Sequence, residues 1–105
     1  MKKVKVGIIG IGNMGSSHYK NILLGKAPEL TIAAVADINP DRLEWAQKTH
    51  AEIKAENPDL EDVAYFSDAS EMIASGKAEA IVVAIPHYDH PRYSIEALEH
   101  GLHVM

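Results

Sequence analysis

Short apolar runs alternate with amphipathic stretches along the whole 105-residue chain. The runs are continuous and rich in β-branched side chains, which is typical of strands covered on both faces of a parallel sheet. They occupy residues 5–9, 30–36, 63–66, 80–85 and 103–105. Strands that alternate with helices over short connections predict a doubly wound α/β fold, with the parallel strands in the order 3-2-1-4-5.

The stretches between the runs predict four helices. The first covers residues 14–24, the second begins at Asn39 and Pro40, the third follows an N-cap at Ser67 or Asp68, and the fourth runs from Pro91 to a C-terminal cap at Gly101. Asn, Asp and Ser cap helix N-termini, proline fits the first turn, and glycine ends a helix readily. Many charges and Pro58 predict that residues 51–62 hold the end of the second helix and a surface loop.

Helical spacing of the apolar residues predicts which helix faces meet the sheet. The positions expected to face inward are His18 or Tyr19, Ile22 and Leu23 on the first helix, Leu43, Ala46 and Gln47 on the second, and Ile95 and Leu98 on the fourth. We expect His18 to be a packed histidine near the glycine-rich turn rather than a catalyst.

Charge and cysteine content narrow the classes of partner and compartment. Fifteen acidic residues outweigh ten lysines and arginines, for a formal net charge of -5. Nucleic-acid and membrane surfaces need clustered Lys and Arg, so we expect neither partner. The absence of cysteine excludes disulfides and thiolate zinc sites and suits a reducing cytoplasm. The length and the 47% hydrophobic content predict one domain, residues 1–105, without a transmembrane segment.

A glycine motif follows the first predicted strand: Gly10, Ile11, Gly12, Asn13, Met14 and Gly15 match G-x-G-x-x-G. Leaving a buried strand and opening a helix, this motif is typical of Rossmann domains, where it binds the pyrophosphate of a dinucleotide. Gly10 permits the tight turn, Gly12 lets the backbone approach the phosphates, and Gly15 lets the helix pack on the strand. The helix N-terminus favours phosphate charge. An ordinary glycine-rich turn is the alternative; the missing G-K-[ST] ending excludes an NTPase P-loop.

Asp37 ends the second predicted strand, 22 positions beyond Gly15. A carboxylate at about this spacing accepts hydrogen bonds from a ribose diol and repels the extra phosphate of NADP. Arg42 offers a partner for such a phosphate, or is a solvated helix residue paired with a nearby carboxylate. We therefore predict NAD as the cofactor and regard NADP as the less favoured one.

The loop after the fourth strand leaves the sheet at the same edge as the glycine motif. Its predicted cofactor contacts are Ile85, Pro86, His87 and His90. Pro86 stiffens the loop, and His87 or Tyr88 could stack on a ring. His87 and His90 with Asp89 between them also suit a metal, but the sequence offers no obvious third ligand, so we predict none. Plain loop and capping roles are the remaining interpretation.

Several segments together resemble one family of oxidoreductases. They are VGIIGIGNMG at residues 6–15 with His18, AVAD at 34–37, AIP at 84–86 with His90, and ALEHGLHVM at 97–105. The combination resembles the N-terminal NAD(P)-binding domain of the glucose–fructose oxidoreductase, inositol dehydrogenase and MocA family. The resemblance covers nearly the whole chain and is least informative over residues 51–62.

The resemblance implies hydride transfer between NAD or NADP and a sugar, polyol or related hydroxy compound. It places the pyrophosphate at Gly10–Gly15, the adenosine ribose at Asp37 and the nicotinamide side along residues 86–90. Many members carry Asn after the proline, where this chain has His87. Members also continue past His-Val with a Glu-Lys-Pro motif, whose lysine is catalytic, and with an α/β substrate domain.

We find no catalytic residue in the 105 positions, so we expect this chain to bind the cofactor without turning it over. A final strand with no following helix leaves apolar surface uncovered, which favours a truncated chain lacking the C-terminal domain, or association with another chain, such as a homo-oligomer. The alternatives are a nucleotide or redox sensor without catalysis, and a methyltransferase that uses S-adenosylmethionine.

Overall fold

The structure is a computed structural model that describes residues 3–84 and 90–104. Five strands and four helices alternate along the chain. They are β1 (Val4–Ile9), α1 (Asn13–Leu23), β2 (Leu30–Ala36), α2 (Pro40–Glu56), β3 (Ala64–Phe66), α3 (Ala69–Ala74), β4 (Ala80–Val83), α4 (His90–Glu99) and β5 (His103–Val104). The predicted number, type and sequence of elements are therefore confirmed over the described residues.

The strands form one parallel sheet in the order β3-β2-β1-β4-β5, which confirms the predicted Rossmann-type topology. The central strand β1 pairs with β2 on one side and β4 on the other, so the chain reverses its direction of winding at β1. In such sheets a crevice opens between the carboxyl ends of the two strands at the reversal. Ile9 and Val83 are in register at that edge, so the turn after Ile9 and the residue Ala84 lie beside each other there.

The sheet is covered on both faces, which explains its continuous apolar runs. One face packs against α1 and α2, and its buried side chains are Val6, Ile8, Ile11, Tyr19, Leu23, Ile32, Val35 and Ala46. The opposite face packs against α3 and α4, with Ile9, Ala34, Ala36, Ala69, Met72, Ile73, Ala78, Ile81, Val83 and Ala97. Because successive residues of a strand point to opposite faces, one strand such as β1 supplies both cores.

The predicted capping residues bound the helices. Asn39 Oδ1 accepts a hydrogen bond from Asp41 N at the start of α2. At the start of α3 the cap is Asp68 rather than Ser67, since its Oδ1 accepts from Ser70 N. Three glycines with positive φ follow α1, α3 and α4, namely Gly25, Gly76 and Gly101.

The prediction that residues 51–62 hold the end of the second helix and a loop is confirmed, because α2 ends at Glu56 and residues 57–62 are neither helix nor strand. The charges that weakened the apolar pattern, Glu52 among them, lie on the solvated side of this helix. The opposite side carries Ile53, which packs against the core shared with α1. Charged residues are good helix formers, so a polar outer face does not end the helix.

Some of the side chains predicted to face the core are exposed instead. On α1 the side chain of His18 is exposed, whereas Tyr19 is fully buried. Gln47 is exposed on α2, although Leu43 and Ala46 do face the core.

On α4 the side chains Ile95 and Leu98 are 56% and 61% exposed, and Ala97 is the buried residue. The flank of α4 that carries Glu96 contacts α3 through Ser70 Oγ. Close packing of two helices on this face is therefore achieved by the small side chain, and the larger apolar side chains lie outside the contact.

No helix in the described part of the chain is long and apolar enough to cross a membrane.

Candidate dinucleotide-binding site

The turn between β1 and α1 lies at the carboxyl edge of the sheet. Gly10 has a φ of 94°, a region that glycine enters without the steric cost of a Cβ. Its N–H donates to Ala36 O at 2.8 Å, which ties the turn to the end of β2. A Cβ on Gly15 would overlap the carbonyl of Gly10, so α1 packs against the turn as closely as glycine permits. The predicted roles of Gly10 and Gly15 thus have a direct geometric basis.

Gly12 has no such reason within the protein. It is the N-cap of α1 with an extended backbone, φ -89° and ψ -158°, that other residues adopt as well. Among the described residues, a Cβ there would meet only Arg42 Nη1 at 3.7 Å, an ordinary van der Waals contact. The glycine therefore leaves space at the helix N-terminus that the fold itself does not require.

The N-terminus of α1 is suited to an anion. Gly12 provides no capping side chain, and the first turn contains no acidic residue. The first N–H groups of a helix lack carbonyl partners within the helix and carry the positive end of its dipole. This end of α1 can therefore donate hydrogen bonds to phosphate oxygens in the space beside Gly12.

Asp37 follows β2 and lies beside the turn. Its side chain is only 4% exposed. Oδ2 accepts a hydrogen bond from Ile11 N at 2.7 Å, and Oδ1 accepts one from Asn39 N at 2.8 Å. Backbone N–H groups thus stabilise the buried carboxylate, and they join it to the glycine motif and to the start of α2.

Arg42 lies above the same carboxylate. Its Nη1 is 3.9 Å from Asp37 Oδ2, and its side chain is 52% exposed. This is the pairing with a nearby carboxylate that the sequence predicted as one interpretation of Arg42. Because the guanidinium is half exposed and 3.9 Å from the carboxylate, water screens this ion pair on the arginine side, and Arg42 remains accessible to a ligand.

The structure brings together five of the eleven predicted site residues: Gly10, Ile11, Gly12, Gly15 and Asp37. Asn13 and Met14 form the start of α1, and His90 is the first residue of α4. The side chains of these three lie outside the described part of the structure, as do all atoms of Ile85, Pro86 and His87. Those contacts therefore stay predictions.

The contact of Asp37 with the backbone of the glycine motif was not predicted from the sequence. The available signal was the position of Asp37 directly after a buried strand, where a carboxylate needs hydrogen-bond donors. The contact of Asn39 with Asp37 was not predicted either: its N–H reaches Asp37 while its side chain caps α2. The cap was expected from the Asn-Pro pair, but its second contact was not.

Known proteins are similar to this chain in sequence and in fold. The family described as "Oxidoreductase family, NAD-binding Rossmann fold" matches residues 4–105. Inositol 2-dehydrogenase of Rubrobacter xylanophilus is 29% identical over 99 residues, which are 93% of this chain and 25% of that protein. Glycosyl hydrolase family 109 protein 1 of Bacteroides fragilis is 30% identical over 102 residues, 96% of this chain and 21% of that protein.

Solved structures agree with these matches. Scyllo-inositol dehydrogenase from Lactobacillus casei, with bound cofactor NAD(H) and scyllo-inositol, superimposes with a TM-score of 0.81 and 28% identity. The match covers 98% of this chain and 27% of that one. The WlbA dehydrogenase from Bordetella pertussis, in complex with NADH and UDP-GlcNAcA, gives a TM-score of 0.79 at 27% identity, with 98% and 28% covered.

The chain spans about a quarter of the length of these relatives. The family match extends over almost every residue, from the start of β1 through the glycine motif and Asp37 to the end of β5. The chain therefore belongs to the glucose–fructose oxidoreductase, inositol dehydrogenase and MocA family of oxidoreductases and is its NAD-binding Rossmann domain.

Proposed function

We propose that this chain is the cofactor-binding part of an oxidoreductase that transfers hydride between NAD and a sugar, polyol or related hydroxy compound. The observation that carries the proposal is the space that the described residues leave at Gly12, beside the N-terminus of α1 and next to the buried carboxylate of Asp37. Relatives named inositol 2-dehydrogenase, and a scyllo-inositol dehydrogenase with bound NAD(H), support the same substrate class.

The residues present fit a dinucleotide. In the proposal, backbone N–H groups of residues 10–15 bind the pyrophosphate, and Asp37 accepts a hydrogen bond from the adenosine ribose through a remaining lone pair. The described part of the crevice ends at Ala84, and we assign the nicotinamide side to Ile85, Pro86, His87 and His90. When bound, the nicotinamide supplies the hydride acceptor or donor.

We further propose that these 105 residues form one domain that binds the cofactor without turning it over. Proton transfer during hydride chemistry needs an acid or base beside the substrate, and we assign that group and the substrate pocket to a separate α/β domain. The relatives have about three times this length beyond the matched segment. We also propose a cytoplasmic location, which suits a chain without cysteine, and association into a homo-oligomer.

A titration with NADH tests the binding proposal. Trp45 is the only tryptophan of the chain and lies on α2, three residues after Arg42, so energy transfer from it to NADH reports binding. We expect saturable quenching that Gly12→Ala weakens at least tenfold, because a Cβ enters the space reserved for the phosphates. Ser17→Ala, on the exposed side of α1, is the matched control and should bind like the unmodified chain.

Competition experiments separate the proposal from its alternatives. We expect NAD to displace NADH, NADP to do so more weakly because the buried carboxylate repels its extra phosphate, and S-adenosylmethionine to have no effect. A folded chain that shows no quenching by NADH would contradict the proposal. Displacement by S-adenosylmethionine would instead favour a methyltransferase.

A second candidate is cleavage of a glycosidic bond by a protein that binds NAD. It is favoured by the 30% identity to a protein named glycosyl hydrolase family 109 protein 1. Both candidates give this chain the same cofactor site. They differ in whether the complete protein causes a net reduction of NAD during turnover, which absorbance of NADH measures.

A further inference from the structure

Asp37 is held by the protein through both of its carboxylate oxygens. One accepts from Ile11 N at 2.7 Å and the other from Asn39 N at 2.8 Å. Charge-assisted hydrogen bonds of this length are among the stronger ones in proteins. Since the side chain is 4% exposed, water competes little for these contacts. The carboxylate is therefore part of the local backbone structure as well as a candidate ribose contact.

The contact with Ile11 fixes the middle of the glycine motif. Ile11 is itself buried at 4% exposure, and a buried N–H needs a partner. The residue before it, Gly10, is held by its hydrogen bond to Ala36 O, and the residue after it, Gly12, is the N-cap of α1. Without the carboxylate, the N–H of Ile11 would lose its partner, and the path of the chain into α1 would be less restricted.

We propose that Asp37 is a positioning residue for the phosphate loop, in addition to any contact with ribose. Through Ile11 N it sets the position of Gly12 and of the α1 N-terminus, and so contributes to the binding of the pyrophosphate itself. The inference rests on the proposed function for its cofactor half. Its structural half concerns the chain alone and is tested separately.

The cofactor half is tested by removing the ribose hydroxyls from the ligand. ADP and 2′,3′-dideoxy-ADP are titrated calorimetrically into the unmodified chain and into Asp37→Ala, which has no acceptor for Ile11 N. A pure ribose role predicts that dideoxy-ADP binds both proteins equally, and this result would overturn the inference. We expect instead that Asp37→Ala weakens dideoxy-ADP at least fivefold. Loss of a negative charge favours an anionic ligand, so weaker binding cannot come from that charge effect.

The structural half is tested by amide hydrogen exchange in the chain without ligand. Asp37→Ala, which has no acceptor for Ile11 N, should raise the exchange rate of the Ile11 amide at least tenfold relative to that of Val35, in the buried part of β2. An unchanged ratio of the two exchange rates would overturn this inference and leave the proposed function intact. If the unmodified chain binds no ADP, the proposed function fails and the cofactor half fails with it, whatever the exchange at Ile11 shows.

Two additional variants keep the test decisive. Asp37→Ser is used in both measurements if Asp37→Ala does not unfold cooperatively, because a shorter polar side chain also removes the contact with Ile11 N. Asp41→Asn is the charge-matched control: it removes the same charge from an exposed position at the start of α2. We expect this control to bind both nucleotides as well as the unmodified chain or better, and to leave the Ile11 amide protected.

Discussion

The three glycines of the motif at residues 10–15 satisfy different physical requirements. Gly10 provides a positive φ, and Gly15 provides room for the carbonyl of Gly10. Gly12 satisfies neither requirement, since its backbone is extended and a Cβ there would make only an ordinary contact. A sequence motif therefore combines residues that the fold needs with one that only a ligand would need.

This distinction predicts that two alanine substitutions change the free energy of unfolding by very different amounts. Gly15→Ala should lower the free energy of unfolding by about 2–3 kcal/mol, because the new methyl group meets backbone that cannot move aside. Gly12→Ala should change it by less than about 0.5 kcal/mol. Urea unfolding followed by Trp45 fluorescence measures both. Equal losses in the two variants would contradict the separation of structural and ligand-related glycines.

At the level of elements, the start of α2 is connected directly to the candidate site through Asn39. Asn39 donates its N–H to Asp37 and accepts from Asp41 N, so one residue connects the carboxylate to the helix cap. The helix that follows carries Arg42 and Ala46 on its first turns, one beside the site and one in the core. The position of Arg42 over Gly12 thus depends on where α2 starts.

Removal of this cap should destabilise the protein without removing the contact to Asp37. Asn39→Ala keeps the backbone N–H but loses the acceptor for Asp41 N, and we expect a loss of about 1 kcal/mol in the free energy of unfolding. Gln47→Ala, exposed in the same helix, is the control and should stay within about 0.5 kcal/mol. Chemical denaturation measures both variants, and equal values for the two would contradict the role of Asn39 as cap.

The positions of the strands and of the helix caps could be predicted from the sequence because each depends on local patterns. Buried strands have continuous apolar runs, and a cap such as Asn39 lies next to the helix it starts. The orientation of α4 could not be predicted, because both Ala97 and the larger pair Ile95 and Leu98 fit helical spacing. Which side packs depends on how closely the helix approaches the sheet, and that is a property of the folded molecule.

The site shows the same limit. The glycine motif and Asp37 were identified from spacing, because each follows a strand that ends at the same edge of the sheet. The hydrogen bond between Asp37 and Ile11 joins residues 26 positions apart. No local pattern specifies it, since it requires β1 and β2 to be paired first.

At the scale of the whole molecule, one buried polar contact joins three elements on the α1 and α2 face. The hydroxyl of Tyr19 on α1 donates to Ala46 O on α2 at 2.7 Å. The hydroxyl of Tyr65 on β3 lies 3.0 Å from it and, because the proton of Tyr19 is already donated, serves as the donor. Burial raises the pKa of Tyr19, and the hydrogen bond with Tyr65 raises it further. Burial also raises the pKa of Tyr65.

These shifts predict that the protein loses stability in alkaline solution. Unfolded tyrosine loses its proton near pH 10 while folded Tyr19 keeps its own, so the free energy of unfolding falls above pH 10 by up to about 1.4 kcal/mol per pH unit for each such tyrosine. Tyr19→Phe should be less stable at pH 7, by about 1–2 kcal/mol, since Ala46 O loses its donor. Its stability should nevertheless fall less steeply between pH 10 and about 11.5.

Urea unfolding between pH 10 and about 11.5 measures how steeply the free energy of unfolding falls in each variant. Ile32→Val, a destabilised core variant without a lost titrating group, should keep the original slope, and an equally steep fall in Tyr19→Phe would show that Tyr19 does not stay protonated in the folded state.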